Sequence, residues 1–399
     1  MARTGAGKGD SRARCGALQT TALGPVSVGY TFAPMPLSSL RPLLRLCAAA
    51  AAILLLLDVA LFRSGWYYRW LEPDSTSGSV VGDILAIERY RDPKRRNVLV
   101  LGDSRIGEGF SAQLADDAGG RADLHFVNGA VAGSTARVRN LLLRTVDPDA
   151  DRFGAIALAV DYDPGSVLAD MPNYPLDTSY VVPVLHLGDI ISYPDSFTDP
   201  AQRARARRAI LFPLQALHDD ALDFLLHPRR RADAILRSRP GWLDAVGLYM
   251  GHEEALPELA LDEHDVPRDW GAIEPARRQK IEDYLRNARS RATPALEAAN
   301  EDYVRRWIGG VAARYRAHGV PVFVFVVPRG PWHQALVPAP TPRGAIAELA
   351  DTGQIIALPG DAFVAFEQPH FFFDTLHMNR AGRERFSADL AQRIAALVP

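Results

Sequence analysis

Two short stretches near opposite ends of the chain carry the residue types of an acyl-transfer centre. Residues 97–105 read Asn-Val-Leu-Val-Leu-Gly-Asp-Ser-Arg, an apolar run that stops on Gly102-Asp103-Ser104 ahead of a predicted helix. Residues 374–379 read Asp-Thr-Leu-His-Met-Asn. A serine hydroxyl is a poor nucleophile until a positioned base takes its proton, and the base needs a partner that holds its tautomer. Ser104, Asp374 and His377 supply these groups in the chain order Ser, Asp, His. Because Asp374 and His377 share one loop, the carboxylate can reach one imidazole nitrogen while the other faces the serine.

Such groups need a scaffold that brings the two ends together. A serine at the carboxyl end of a strand, where a helix begins, stands where open α/β sheets put their active sites. Short β-branched runs at Asn97–Leu101, Leu124–Val127, Ala155–Val160, Val320–Val327 and Gln354–Leu358 alternate with helical stretches. That alternation predicts an α/β fold with a mostly parallel sheet and helices on both faces. Ala295–His318 reads as a crossover helix and Arg380–Leu397 as a final helix against the sheet. The stretch from Pro164 to about Pro294 is too long for a plain crossover. Helical patterns at Ala201–Leu226, Arg229–Leu236 and Arg277–Arg291 make it a helical cap beside the site.

At these residues the chain resembles the SGNH (GDSL-type) hydrolase superfamily of esterases, lipases and carbohydrate acyl-esterases. The first family block resembles Gly102-Asp103-Ser104, and the second resembles residues 128–135, Asn-Gly-Ala-Val-Ala-Gly-Ser-Thr. The last block resembles Asp374-Thr-Leu-His377, with Asn379 and Gly382 continuing the pattern and Asn379 placed to cap the final helix. The resemblance implies a three-layer α/β/α domain in which Ser104 is the nucleophile, His377 the general base and Asp374 its orienting partner. It also implies an acyl-serine intermediate, with an oxyanion hole made by the amides of Gly133 and of Ser104 or Arg105.

One block departs from the family pattern. The third block normally carries Gly-x-Asn-Asp, whose asparagine is an oxyanion donor, but residues 154–160 run into Asp161-Tyr162-Asp163-Pro164. Tyr162 or a group from the insertion is left to replace it. Loss of one donor costs roughly two to three orders of magnitude in rate, so weak activity on simple esters is expected. The same departure is found in membrane-linked members that help O-acetylate alginate or D-alanylate teichoic acids beside a membrane-bound acyltransferase. By resemblance, the partners are then an acylated cell-envelope carbohydrate and such an acyltransferase. The rival expectation is an accessory protein that keeps the fold without the chemistry and holds a glycan for another enzyme.

Other residues compete for roles. His370 is a second base candidate but lacks an acidic residue three positions earlier, and Asp161 with Asp163 is either an acid pair or a strand-closing turn. His186, His218, His227, His252, His264, His318 and His333 show no metal-site spacing, so neither a metal nor another cofactor is expected.

With 399 residues, a net charge of -2 and cysteines only at Cys15 and Cys47, the chain offers no bulk attraction for nucleic acid and no disulfide framework. Residues 46–62 are nearly continuously apolar apart from Asp58, follow Arg41 and Arg45, and precede Trp66, Tyr67, Tyr68 and Trp70. This reads as an uncleaved, single-pass signal-anchor at the short end of the spanning range, followed by an interfacial aromatic belt. A cleaved signal peptide is disfavoured because no Ala-x-Ala site follows. Arg3, Lys8, Arg12, Arg14, Arg41 and Arg45 outweigh Arg63 and Arg69, so the amino terminus is expected inside and the large domain outside the cytoplasm. Residues 1–40 read as a disordered tail, although Met35 by itself would open an ordinary signal-anchor; 41–70 read as the anchor, 71–96 as a polar lead-in and 97–399 as the SGNH-like domain. The basic runs at 203–208 and 229–231 read as a solvated helix face, with anionic lipid or an acidic glycan as the other use.

Overall fold

The computed structural model describes residues 37–160, 171–237, 250–260, 267–270, 273–289, 293–331 and 340–399. The chain divides into two units, Met1–Ile53 and Leu54–Pro399. Helix α1 (Leu37–Leu57) supplies the described residues of the first, and a stretch of 22 residues, Pro42–Arg63, is long and apolar enough to cross a membrane.

The second unit is α/β, built on five parallel strands: β1 (Arg96–Leu101), β2 (Leu124–Asn128), β3 (Ala155–Val160), β4 (Val322–Val326) and β5 (Ile356–Ala357). Their order is β2-β1-β3-β4-β5. All but β5 lie within a residue or two of the runs expected from sequence; β5 is cut to two residues of the expected five, on the sheet edge. Parallel strands buried on both faces read as continuous apolar runs. Leu99, Leu101, Ile156, Leu158, Val322 and Val324 enter one hydrophobic cluster. Their alternating neighbours Val98, Val100, Ala155, Ala157, Phe323 and Phe325 enter another.

Helices close both clusters. Helices α2 (Thr76–Tyr90), α5 (Ala136–Val146), α12 (Pro294–Arg316) and α13 (Gly344–Asp351) contribute Val80, Leu142, Ile308 and Ile346 to the first. The second takes Ile106 of α3 (Ser104–Gly109), Ala115 of α4 (Ala112–Ala118) and Phe386 and Leu390 of α14 (Arg380–Leu397). The lead-in expected as a polar linker is instead α2. Ser75 caps it by accepting from the Gly78 amide at 3.0 Å, and its apolar residues face the sheet while its polar ones give the segment a linker-like composition.

The insertion differs from a single helical cap. The stretch expected as one helix from Ala201 to Leu226 is broken into α7 (Pro200–Leu211), α8 (Pro213–Ala216) and α9 (His218–Leu226). Pro213 has no N–H to continue the ladder and forces Phe212 out of the helical region, to φ -136° and ψ 72°. Residues 228–237 form α10 and Pro275–Arg289 form α11. Helix α6 (Asp177–Val181) and the turns up to Phe197 pack on the first cluster, whereas Leu256, Ile273 and Ile281 join the second. The insertion therefore contributes to both faces of the sheet.

The start of the insertion is pinned by a fully buried ion pair. Arg137 of α5 bonds Asp177 at 2.5 Å and donates to the carbonyls of Pro172 and Ser196, and its guanidinium lies 3.8 Å from the Phe197 ring centre. Asp177 also accepts from Thr135 at 2.8 Å, which in turn accepts from Tyr303 at 2.8 Å.

Candidate active site

Ser104 is the first residue of α3, directly past the carboxyl end of β1. Strand β1 lies between β2 and β3, so the strand order reverses there, and such a reversal opens a crevice at the carboxyl edge of the sheet. Gly102 is required at the turn, because a Cβ on it would come 2.2 Å from Ile106 Cγ1. Asp103 caps α3 by accepting from the Arg105 amide at 2.9 Å.

The histidine arrives from the other end of the chain on a braced loop. Phe373 N donates to His377 O at 3.1 Å, and Phe372 bridges Met378 in antiparallel fashion. Asn379 caps α14 as expected, accepting from Gly382 N at 3.0 Å while its amide donates to the carbonyls of Glu254 and His370. Helix α14 then reaches the serine helix, where Arg383 donates to the carbonyls of Gly107 and Glu108 at 2.9 and 2.6 Å. Upstream of the loop, buried Glu367 accepts from the Arg329 backbone and guanidinium at 2.8 to 2.9 Å, tying the segment to the end of β4.

These supports bring the three sequence-selected groups together. His377 Nε2 lies 2.8 Å from Ser104 Oγ, and His377 Nδ1 lies 2.8 Å from Asp374 Oδ2. The other carboxylate oxygen of Asp374 accepts from the amides of Leu376 and His377 at 2.8 and 2.7 Å, so the carboxylate is held by its own turn. With Nδ1–H donating to Asp374, Nε2 carries the lone pair that accepts the serine proton. Phe373 stacks on the imidazole with ring centres 5.8 Å apart. His370 is not at this position; it packs on Phe371, faces Glu258 at 3.6 Å and is largely exposed.

The electrostatics suit a base. Burial works against a charged His377, but the Asp374 carboxylate, with Glu108 and Asp103, outweighs it and holds the imidazole above its ordinary range. Burial likewise opposes a charged Asp374, and the His377 hydrogen bond and the two amides overcome it and hold the carboxyl below its usual range. Such an arrangement is able to draw a proton from the serine hydroxyl as the serine attacks.

The loop after β2 stands opposite. Val131 N and Ser134 Oγ donate to Gly102 O at 3.0 and 3.1 Å, joining this loop to the serine turn. Gly133 is in the left-handed region at φ 68°, and a Cβ there would come 2.6 Å from Tyr180 Oη. Among the described residues no partner holds the Ser104 or Gly133 amide, whereas the Arg105 amide is occupied by Asp103. Asp161, Tyr162 and Asp163, which follow β3, lie outside the described residues, as do His264 and His333. Among the described residues no three His, Cys, Asp or Glu side chains converge as metal ligands would.

Three contributors escaped sequence reasoning. Arg139 donates to Ala159 O at 2.6 Å and to Ser134 O at 3.0 Å and lies 3.8 Å from Asp103, locking the end of β3 to the loop of Gly133. Tyr180 donates to Ala132 O at 2.7 Å. Glu108, one turn beyond Ser104, adds its charge to His377. For Arg139 the available signal was its position in a short helix otherwise bound for the core, where an arginine needs carbonyl partners. No family model matches the chain, and neither does any curated protein.

Proposed function

We propose that the protein is a membrane-anchored, SGNH-like serine esterase or O-acyltransferase acting on acyl esters of a cell-envelope glycan outside the cytoplasm. The observation that carries this reading is the continuous hydrogen-bonded chain Ser104–His377–Asp374, 2.8 Å at both links. Helices on both faces of a parallel sheet support the three-layer SGNH-like arrangement, and the braced Gly133 loop supports a backbone oxyanion hole.

In the proposed reaction Ser104 Oγ attacks the ester carbonyl while His377 takes its proton, and the carbonyl oxygen gains negative charge facing the amides of Gly133 and Ser104, with Arg105 beside them. His377 returns the proton to the departing alcohol, which leaves an acyl-serine. Water as the next acceptor releases the carboxylic acid and regenerates Ser104, and a sugar hydroxyl takes the acyl group as a new ester and likewise frees Ser104. Asp374 stabilises the imidazolium without taking its proton. The apolar stretch Pro42–Arg63 supports a single span, and the basic residues upstream of it favour the large domain outside.

A fluorophosphonate probe tests the reading, because only an activated serine is phosphonylated. Labelling of the wild type, lost in Ser104→Ala and in His377→Ala, is expected. An unlabelled wild type overturns the enzyme reading in favour of a glycan-holding accessory protein, which the absent asparagine of the third block favours.

A further inference from the structure

Helix α9, which packs on the junction that follows the apolar segment, carries leucines on its outside. On α9, Ala221 and Phe224 pack inward with Phe62, Tyr67, Trp70 and Leu71. On its outer side Leu222, Leu225 and Leu226 follow the spacing i, i+3, i+4, which makes one stripe, and they are 52%, 72% and 66% exposed. Leu211 and Phe212 at the end of α7 and Leu236 of α10 are exposed as well. Isolated exposed leucines are ordinary, but a large residue set of this kind within residues 211–236 marks a contact surface.

Its neighbours say what it contacts. Arg63, the last residue of the apolar stretch, pairs with Asp58 at 2.8 Å and donates to the carbonyls of Ile210 and Leu211 at 3.0 and 2.9 Å. Leu211 and Phe212 thus emerge where the apolar stretch ends, and Leu54, Leu55, Leu56 and Val59 of that stretch are exposed as well. Tyr67 donates to Asp220 at 2.5 Å, and Arg231 pairs with both Glu72 and Asp220, so the junction is clasped to α9 and α10 with no loose tether. Exposed Arg208 and Arg229 flank the leucines, while Arg207 pairs with Asp195 and Arg230 with Asp223. Residues 200–237 still carry eight arginines against four aspartates, so apposing two such faces would bring like charges together, which disfavours a second copy and favours an anionic bilayer.

We infer that α7–α10 form a second membrane-contact surface, which seats Leu211, Phe212, Leu222, Leu225 and Leu226 in the headgroup boundary of the bilayer that the anchor crosses. Arg208 and Arg229 lie on anionic head groups. This rests on the anchor reading.

The test uses the full chain with Cys15→Ser and Cys47→Ser, reconstituted in vesicles of phosphatidylcholine and phosphatidylglycerol, with part of the lipid carrying a nitroxide on the acyl chain. An environment-sensitive fluorophore is attached to Leu225→Cys, to Leu55→Cys within the anchor, or to Leu397→Cys at the exposed end of α14. Emission from positions 225 and 55 should be lost to the nitroxide lipid while that from 397 persists. Quenching at 55 without quenching at 225 overturns the inference and leaves the anchor standing. Absence of quenching at both overturns both. A probe at 225 that is shielded from an aqueous quencher yet indifferent to nitroxide lipid, and that becomes accessible on dilution, shows a second copy on this face and overturns the inference.

Discussion

His377 Nε2 rests 2.8 Å from Ser104 Oγ although 273 positions separate the two residues. Helix α14 carries that closeness, since it begins three residues after His377 and its Arg383 grips the carbonyls of the helix that starts at Ser104. The serine and the base are thus set by one rigid element rather than by two independent loops.

Groups coupled in this way should fail together. Ser104→Ala and His377→Ala are each expected to lower ester turnover by about a thousandfold or more, with the double variant little worse than either, because members of such a unit are non-additive. Asp374→Ala should be milder. Acyl release from a chromogenic ester and from an acetylated glycan measures this, and thermal melting verifies folding. Full activity in Ser104→Ala would sink the proposal.

The pH dependence follows from the raised His377 value. Only the neutral imidazole accepts the serine proton, so kcat/KM should rise with pH along an acid limb centred above the ordinary histidine value of about 6.5. Asp374→Asn removes the main influence that raises it and leaves burial to lower it, so the limb should move down. The stability contribution of charged His377 has the opposite sense. It is fully present below about 6.5 and is lost as pH rises through the raised value. A pH–rate profile with an unshifted limb in Asp374→Asn would separate the carboxylate from the base.

Gly133 is tested by adding a methyl group. Gly133→Ala combines a left-handed backbone with a Cβ 2.6 Å from Tyr180 Oη, a combination expected to cost about 1–3 kcal/mol of stability and to displace the amide. Tyr180→Phe removes the clash but also the bond to Ala132 O, so Gly133→Ala is compared in the two backgrounds and should cost less in Tyr180→Phe than in the wild type. Chemical denaturation of both single variants and the double variant measures this, and an equal cost in the two backgrounds would exclude the clash. Gly133→Val should abolish turnover in protein that remains folded.

The buried Arg137–Asp177 pair should act on stability first. Asp177→Ala leaves an uncompensated guanidinium among Phe197, Tyr303 and Trp307 and should cost about 3–5 kcal/mol by equilibrium unfolding. A loss below about 1 kcal/mol would mean that water reaches Arg137 and that the pair does not pin the insertion.

Much of the fold was legible because it depends on local pattern. β1, β2 and β3, helices α12 and α14, and the Asn379 cap follow from apolar runs, periodicity and capping chemistry that act within a few residues. Helix α2 was not legible, because burial of Val80 and Ile87 against the sheet outweighs the Ser- and Gly-rich composition of its first turn. Of the aromatics expected to line an interface, Trp66 is exposed, whereas Tyr67 is buried against Phe62 and Phe224.

The same division runs through the site. Sequence by itself determined which residues could act, because Ser104, Asp374 and His377 are recognisable by type, order and the turn or loop that carries each. Tertiary structure decided which histidine meets the serine. His377 and His370 are both loop residues, and only the bracing by Asn379, Arg383 and Arg329–Glu367 turns the first toward Ser104 and leaves the second beside Glu258. It also decided that Arg139 and Tyr180 brace the Gly133 loop, because those contacts join segments far apart in sequence, and local pattern carries no record of which distant carbonyl a buried side chain will find.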